Sequence, residues 1–228
     1  MGTAKTAKSA AGSATSPAKS AAAISRQAIL DTAARLFRQE GYAATSLRSI
    51  AQACDMKAGS LYYHFASKDQ IVSEVLDIGV QRVFDAVRRA VEGLPSDANL
   101  AVTLQCAIAA HLGALLHAHD FTSANIRIFG QVPLEVRETH KSLRKRYEQY
   151  WRKMLLALQH RGEIRDGVDL QRTVFYLFGA MNWTTEWYDQ KKSGLAAMAG
   201  ELTDLVTNGL RAKPVAVAKR PIAKQGKS

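Results

Sequence analysis

The chain has 228 residues, with 31 lysines and arginines against 20 acids, two cysteines and a formal net charge of +11. That length allows one large or two small domains with a substantial core, and two cysteines exclude a disulfide framework. No apolar run approaches a membrane span or the core of a secretory signal, so a cytoplasmic location with no membrane partner is expected.

The excess charge is unevenly placed. Lys5, Lys8 and Lys19 precede Arg26 without an acid, and Arg211, Lys213, Lys219, Arg220, Lys224 and Lys227 close the chain, again without one. The middle holds 22 basic against 20 acidic residues, close to balance. Both ends are rich in Ala, Lys, Ser and Pro and lack apolar periodicity, so residues 1–24 and 212–228 are expected to be disordered basic tails. Such a tail either adds sequence-independent attraction to phosphates at low salt or serves as a solvated, solubilising segment.

A first helix is predicted over Arg26 to Glu40, where Ile29, Ala33, Leu36 and Phe37 form an apolar stripe and Gly41 provides the stop. The next stretch, TSLRSIAQACDMKAGSLYYHFASK from Thr45 to Lys68, packs two short amphipathic helices around a tight turn. Leu47, Ile50, Ala51 and Cys54 fall at i, i+3, i+4 and i+7, with Thr45 placed to accept a backbone N–H at the helix start. Asp55 ends that helix where a left-handed residue is needed. A second helix follows Gly59 and buries Leu61 and Phe65, leaving Ser60, Tyr62, Tyr63 and His64 to point elsewhere. In a DNA major groove, phenol and imidazole tips reach phosphates and ring faces meet thymine methyls. Gly59 allows close approach of a helix N-terminus, whose free N–H groups favour an anion. Ser67-Lys68-Asp69-Gln70 reads as a capping box opening a third helix. Lys68 in its first turn opposes the dipole, a cost that a nearby phosphate offsets.

The segment GSLYYHFASKDQI resembles the helix-turn-helix signature of the tetracycline-repressor family of bacterial transcriptional regulators. Tyr42, Thr45, Leu47, Ile50, Ala51, Gly59, Leu61, Tyr62, His64, Phe65 and Lys68 all stand where that pattern has such residues. Lys57 and Ala58 depart from its commonest form, in which a small hydroxyl and then a basic residue occupy those places. The resemblance implies an all-α fold, with a three-helix DNA-binding domain over 25–70 and a helical ligand-binding and dimerisation domain over 71–211. It implies contacts to double-stranded operator DNA from Thr45, Arg48, Lys57, Ala58, Gly59, Ser60, Tyr62, Tyr63, His64 and Lys68.

From Lys68 onward the periodicity is helical. Val72, Leu76, Val80, Val83, Val87 and Val91 line one side of a long helix ending near Gly93-Leu94-Pro95. Leu100, Leu104, Ile108, His111 and Leu115 form the next stripe, and Phe121 to Gly130 is a short helix. Pro133 opens another, with Val136, Leu143, Tyr147, Trp151, Met154 and Leu158 inward, before Gly162 stops it. Asp169 caps a helix carrying Leu170, Val174, Leu177 and Met181 on one face, and Tyr176, Ala180, Trp183 and Trp187 on the neighbouring one. The last helix carries Leu195, Met198, Leu202, Val206 and Gly209. A single helix-turn-helix reads few base pairs, and two-fold dimers on half-sites about 34–36 Å apart gain affinity and register. In the family the last two helices usually pair across the two-fold axis. Here Gly179, Ala180, Ala196, Ala197, Ala199 and Gly200 either permit that approach or pack within the chain.

GAMNWTTEWYD, from Gly179 to Asp189, and RIFGQVPLEVRETHKSLRKRYEQYW, from Arg127, resemble a branch of the family whose members sense acyl-coenzyme A thioesters. An acyl thioester needs a long apolar slot with a few polar anchors and cations near its mouth for the phosphates. Phe84, Leu104, Ile108, Phe129, Tyr147, Trp151, Asn182, Trp183 and Trp187 are candidates for the slot, and Arg127, Arg144 and Arg146 for the phosphates. The aromatics serve equally as plain core, and Trp183 and Trp187 as a dimer interface. His111, His117 and His119 suggest a metal, but no cysteine or paired carboxylate completes a shell, so neither metal nor cofactor is expected. His111 reads better as a hydrogen-bonding group in the effector pocket. No nucleophile–base pair or phosphate loop points to an enzyme, and no catalytic residue is expected. The expected function is a homodimeric repressor that a small molecule releases from a palindromic operator. The competing readings are a ligand-independent DNA-compacting protein using its basic tails, and an enzyme built in the bundle.

Overall fold

The computed structural model describes residues 17–116, 120–189, 191 and 194–211. Among them it forms nine helices: α1 (Pro17–Glu40), α2 (Leu47–Ala53), α3 (Ala58–His64), α4 (Lys68–Glu92), α5 (Leu100–Leu116), α6 (Asp120–Ile128), α7 (Leu134–His160), α8 (Leu170–Trp187) and α9 (Leu195–Leu210). No strand occurs among the described residues, only one antiparallel bridge between Ile164 and Arg211. The all-α expectation holds, and two helix stops fall at the expected glycines. Gly41 (φ 86°) and Gly162 (φ 74°) take the left-handed conformation after α1 and α7.

The first boundary differs from expectation. Helix α1 starts at Pro17, so residues 17–24, expected in a disordered tail, are helical. Proline suits a first helical turn, and the alanines from Ala18 to Ala23 have the highest helix propensity. Apolar periodicity is silent on such a segment, which helix propensity alone can order. Residues 1–16 and 212–228, the rest of the expected tails, lie outside the described residues.

Two apolar clusters organise the bundle. The first joins Ile29, Ala33 and Phe37 of α1 to Ile50, Leu61, Phe65 and the α4 residues Ile71, Val72, Val75 and Leu76. It also takes in Phe121, Ala124 and Ile128 of α6 and Val136 of α7. The second gathers Val83, Phe84 and Val87 of α4 with Leu104, Ile108, Tyr147, Trp151, Leu155, Val174, Leu177, Met181 and Met198. The expected division at residue 70 is therefore not a division of the packing. Helix α4 belongs to both cores, and α6 completes the core of the N-terminal unit.

The two clusters meet where α4 crosses α6. A Cβ at Gly79 would lie 2.5 Å from the carbonyl oxygen of Phe121 and 3.1 Å from Cβ of Asn125. Real Cβ atoms do not come that close to backbone, so only glycine lets these two helices touch as they do. Further ties hold α6 to the first unit. Arg38 pairs with Asp120, and Gln131 accepts from the Tyr42 backbone N–H at 3.0 Å.

Trp151 is fully buried at the centre of the second cluster. Trp151→Ala should reduce the unfolding free energy by about 3–5 kcal/mol, read by chemical denaturation at fixed protein concentration. A loss below ~1 kcal/mol would mean the cluster is not a close-packed core.

Candidate DNA-reading face and effector cavity

The DNA-reading unit is held by its caps. Ser46 caps α2, its hydroxyl accepting from the Ser49 N–H at 3.0 Å while Ser49 Oγ accepts from the Ser46 N–H at 2.9 Å. Thr45, expected as the cap, lies one residue too early. Its side chain is 1% exposed and its hydroxyl donates to the Gly41 carbonyl at 2.8 Å, so it has no surface to offer a phosphate. Asp55 sits at φ 54°, as expected, and the Met56 N–H reaches back to the Ala51 carbonyl at 2.9 Å to close the turn.

Helix α3 is fixed from beneath by Leu61 and Phe65, both buried. Its outer surface is unusual: Tyr63 is 86% exposed and Tyr62 58%, with His64 set edge-on to Tyr63 at 5.5 Å between ring centroids. Lys57, Ala58, Gly59 and Ser60 are exposed at the helix start, Arg48 is exposed on α2, and nothing lies within 4 Å of where a Gly59 Cβ would be. The expected contact residues other than Thr45 and Lys68 are therefore exposed, or in the case of His64 half-exposed.

Lys68 departs from expectation. Its ammonium donates to the Tyr42 and Thr45 carbonyls, each at 2.8 Å, and lies 3.9 Å from the centre of the Tyr42 ring. Burial lowers its pKa, with the Asp69 carboxylate opposing. Tyr42 in turn donates to Asp69 at 2.6 Å, and burial together with that hydrogen bond pushes its phenol up to about 12. Lys68 is thus a strut between the α1–α2 connection and α4, its cost at a helix start offset by two carbonyls. The capping box at this helix is also shifted. Ser67 accepts from the Gln70 N–H at 3.1 Å, but Gln70 accepts from Ala66.

In the second core, α4 to α8 surround a cavity of about 80 Å³. Gly79, Val80, Val83, Leu115, Ile126 and Phe178 give its apolar wall. His111, Asn125, Arg144, Tyr147, Glu148 and Asn182 give its polar one. His111 bridges Tyr147 (Nδ1 to hydroxyl, 2.9 Å) and Asn182 (Nε2 to Oδ1, 3.2 Å). Complete burial lowers its pKa to about 4, so it is a neutral imidazole at any ordinary pH. The Tyr147 phenol is pushed well up by burial.

At the mouth, Arg144 stacks 3.8 Å from the centre of the Phe129 ring and donates to Asn125 Oδ1 at 3.1 Å. Asn125 donates onward to the Leu76 carbonyl of α4 at 2.8 Å. Arg144 and Glu148 also line an outer groove of about 620 Å³, together with Phe129, Lys141, Lys145, Gln149, Arg152 and Gln171. Four cations against one carboxylate face it. Burial raises the Glu148 pKa and lowers that of Arg144, each opposed by the other's charge.

Of the expected ligand residues, His111, Tyr147 and Asn182 meet at the cavity, and Phe129 reaches its outer groove. Leu104, Ile108 and Trp151 are fully buried core, and Phe84 packs behind Tyr147 at 5.2 Å. Arg127 is exposed and lines neither space, nor does Arg146, so neither is at the mouth. Trp183 (66% exposed) and Trp187 (56%) lie on the outer face of α8 with Phe175 and Tyr176, away from the cavity. Leu202, Leu205, Val206 and Gly209 of α9 continue this apolar surface. Ala199 is fully buried within the chain and so takes no part in an outer contact, whereas Gly179, Ala180, Ala196 and Ala197 are exposed. His117 and His119 lie outside the described residues. The sequence reading missed Gly79, Asn125, Glu148 and Phe178. The signal available was Arg144-x-x-x-Glu148, an i,i+4 pair that encloses the inward Tyr147.

Residues 29–75 match the family model "Bacterial regulatory proteins, tetR family", and residues 99–210 match "Tetracyclin repressor-like, C-terminal domain". The chain is 29% identical over 188 residues to the HTH-type transcriptional repressor KstR2 of Rhodococcus jostii (strain RHA1), covering 81% of this chain and 90% of that one. It shares its fold with the TetR family transcriptional regulator PfmR from Thermus thermophilus, with a TM-score of 0.70 at 27% identity, over 81% of this chain and 96% of that one. AibR, solved in complex with isovaleryl coenzyme A and operator DNA, has a TM-score of 0.69 at 22% identity, over 82% and 98% of the two chains. With both its reading unit and its cavity domain matched in chain order, this chain belongs to the tetracycline-repressor family and is a DNA-binding transcriptional regulator.

Proposed function

We propose that this regulator is a cytoplasmic homodimeric repressor of a palindromic operator, released when an acyl-coenzyme A thioester enters the α4–α8 cavity. The observation that carries the effector class is a cavity with one apolar wall that shares Arg144 and Glu148 with a groove bearing Lys141, Lys145 and Arg152. An acyl chain suits the first space and a phosphorylated carrier the second. The isovaleryl coenzyme A bound by AibR, a structure of the same fold, supports the same class. The exposed Phe175, Tyr176, Trp183 and Trp187 of α8, with Leu205 of α9, support pairing of two copies there, since clustered exposed apolar side chains mark interaction sites. An enzymatic role has no support in the cavity, which pairs its one histidine with a phenol and an amide and places no nucleophile beside it. DNA compaction through the tails is the weaker reading, because α3 already presents a sequence-reading surface; footprint protection of one palindrome separates the two.

Release requires the ligand to favour a conformation with mis-spaced reading helices, by a coupling of about 1–3 kcal/mol. The route in this chain is short: Arg144 at the mouth, Asn125 of α6, then the Leu76 carbonyl of α4, beside the Gly79 crossing. A ligand that displaces Arg144 or spreads α6 from α4 moves elements packed directly under α1 and α3.

Titrating operator DNA with and without a panel of acyl-coenzyme A thioesters should show affinity falling about 5–150-fold. Unchanged affinity across the panel would refute the effector class. On the DNA side, Tyr63→Ala or His64→Ala should weaken operator binding by roughly 1–3 kcal/mol with the dimer intact in sedimentation. Lys68→Gln should lower the melting temperature while leaving the salt dependence of binding unchanged; a slope reduced by about 1 would restore Lys68 as a phosphate contact. Gly79→Ala should mimic the effector, weakening operator binding about 5–150-fold without any ligand. Wild-type operator affinity in that variant would remove the α4–α6 crossing from the switch.

A further inference from the structure

The polar wall of the cavity has a direction. Tyr147 is buried with its hydroxyl proton in need of an acceptor, and the atom at hand is Nδ1 of His111, 2.9 Å away. A neutral imidazole that accepts at Nδ1 carries its proton on Nε2. That Nε2–H must then donate, and Oδ1 of Asn182 receives it at 3.2 Å. The chain of donors thus runs Tyr147 to His111 to Asn182, and it fixes the Asn182 amide with its oxygen inward. The amide nitrogen, with two N–H groups, has no partner among the described residues and faces the cavity that Asn182 lines. The reverse polarity would leave the Tyr147 proton buried and unsatisfied, which is costly. Stacking of Tyr147 on Phe178, with centroids 5.0 Å apart, and on His111 holds these groups in place.

The other polar capacity in the cavity is already engaged or sits at the mouth. Asn125 is held by Arg144 on its oxygen and by the Leu76 carbonyl on its nitrogen. Arg144 and Glu148 stand where the cavity meets the basic groove.

Building on the acyl thioester reading, we propose that Asn182 is the specificity-determining donor for the ligand's carbonyl oxygen, with His111 and Tyr147 as the residues that position it. The site then selects a ligand that presents a hydrogen-bond acceptor one step inside the mouth, with an apolar group beyond it toward Val80, Val83, Leu115 and Phe178. It rejects a ligand with a methylene at that point, because the Asn182 N–H groups would be desolvated with nothing to meet.

The test uses the purified full chain and matched pairs of coenzyme A derivatives: isovaleryl and octanoyl thioesters, and the corresponding thioethers in which CH2 replaces the carbonyl. Calorimetric titration of wild type should show a preference for thioester over thioether of about tenfold or more. Asn182→Asp keeps an oxygen for the His111 N–H but turns an acceptor toward the cavity, and the preference should vanish or invert. Asn182→Leu should bring the ratio to about one while thioether affinity is retained. Tyr147→Phe, which releases the imidazole proton from Nε2, should lower the ratio without abolishing binding. Equal binding of both members of a pair by wild type, or a preference that persists in both Asn182 variants, would overturn the assignment while leaving the acyl thioester effector standing. Binding of neither member by wild type would overturn both.

Discussion

Within one chain, the core under the reading helix and the core behind the cavity meet where α4 and α6 touch backbone to backbone at Gly79. A Cβ there would meet the Phe121 carbonyl at 2.5 Å, so the contact exists only because the residue is glycine. On one side of it α4 contributes Ile71, Val72, Val75 and Leu76 to the core under the reading helix. On the other side it contributes Val83, Phe84 and Val87 to the core behind the cavity. Close-packed interiors transmit displacement instead of absorbing it. Helix α6 cannot leave its place against α4 without disturbing the packing beneath α1, to which the Arg38–Asp120 pair also ties it.

Electrostatics divides the molecule into two kinds of anion surface. Outside the termini the chain is nearly charge-balanced, so the DNA-reading face cannot rely on bulk positive charge. The proposed contacts are placed groups: two exposed tyrosines and a histidine on a helix locked by Leu61 and Phe65, with Lys57 just before it. Lys68, the obvious cation nearby, is engaged by backbone carbonyls and holds the face in shape. The groove beside the cavity is different, since Lys141, Arg144, Lys145 and Arg152 crowd one wall of α7. These cations cost the folded chain repulsion, and a multiply charged phosphate relieves it.

The sequence made the helices, the turn at Asp55 and the inward face of α8 legible because each rests on local chemistry with a fixed period. Leu170, Val174, Leu177 and Met181 are buried as expected, and Tyr176, Trp183 and Trp187 are exposed as the neighbouring face should be. What periodicity could not decide was which inward residues border empty space. Trp151 and Tyr147 are one turn apart on one stripe, yet one is solid core and the other lines the cavity. That distinction depends on what five helices leave unfilled between them, a property of tertiary packing. The same limit explains Thr45 and Lys68, which match a family pattern but are consumed by carbonyls brought near by the fold. Gly79 was invisible for the opposite reason, since a lone glycine inside a helix reads as a weak spot until its neighbour is known.

Helix α8 places the proposed ligand donor and the proposed pairing surface on adjacent residues. Asn182 lines the cavity, with its amide held by His111, and Trp183 begins the exposed aromatic surface. A helix turn is rigid, so an inward shift that seats a ligand against Asn182 must rotate or translate Trp183 and Trp187 with it. Because those tryptophans belong to the surface proposed to pair two copies, the spacing of the two reading units responds at both ends of the bundle: through Asn125 and α4 within one chain, and through α8 between chains. The two routes act on the same distance, the one between α3 helices, and a ligand touching both Arg144 and Asn182 engages them together. An effector that reached only the basic groove would engage the first route alone. That is a physical reason for the switch to require an acyl group as well as a phosphorylated carrier.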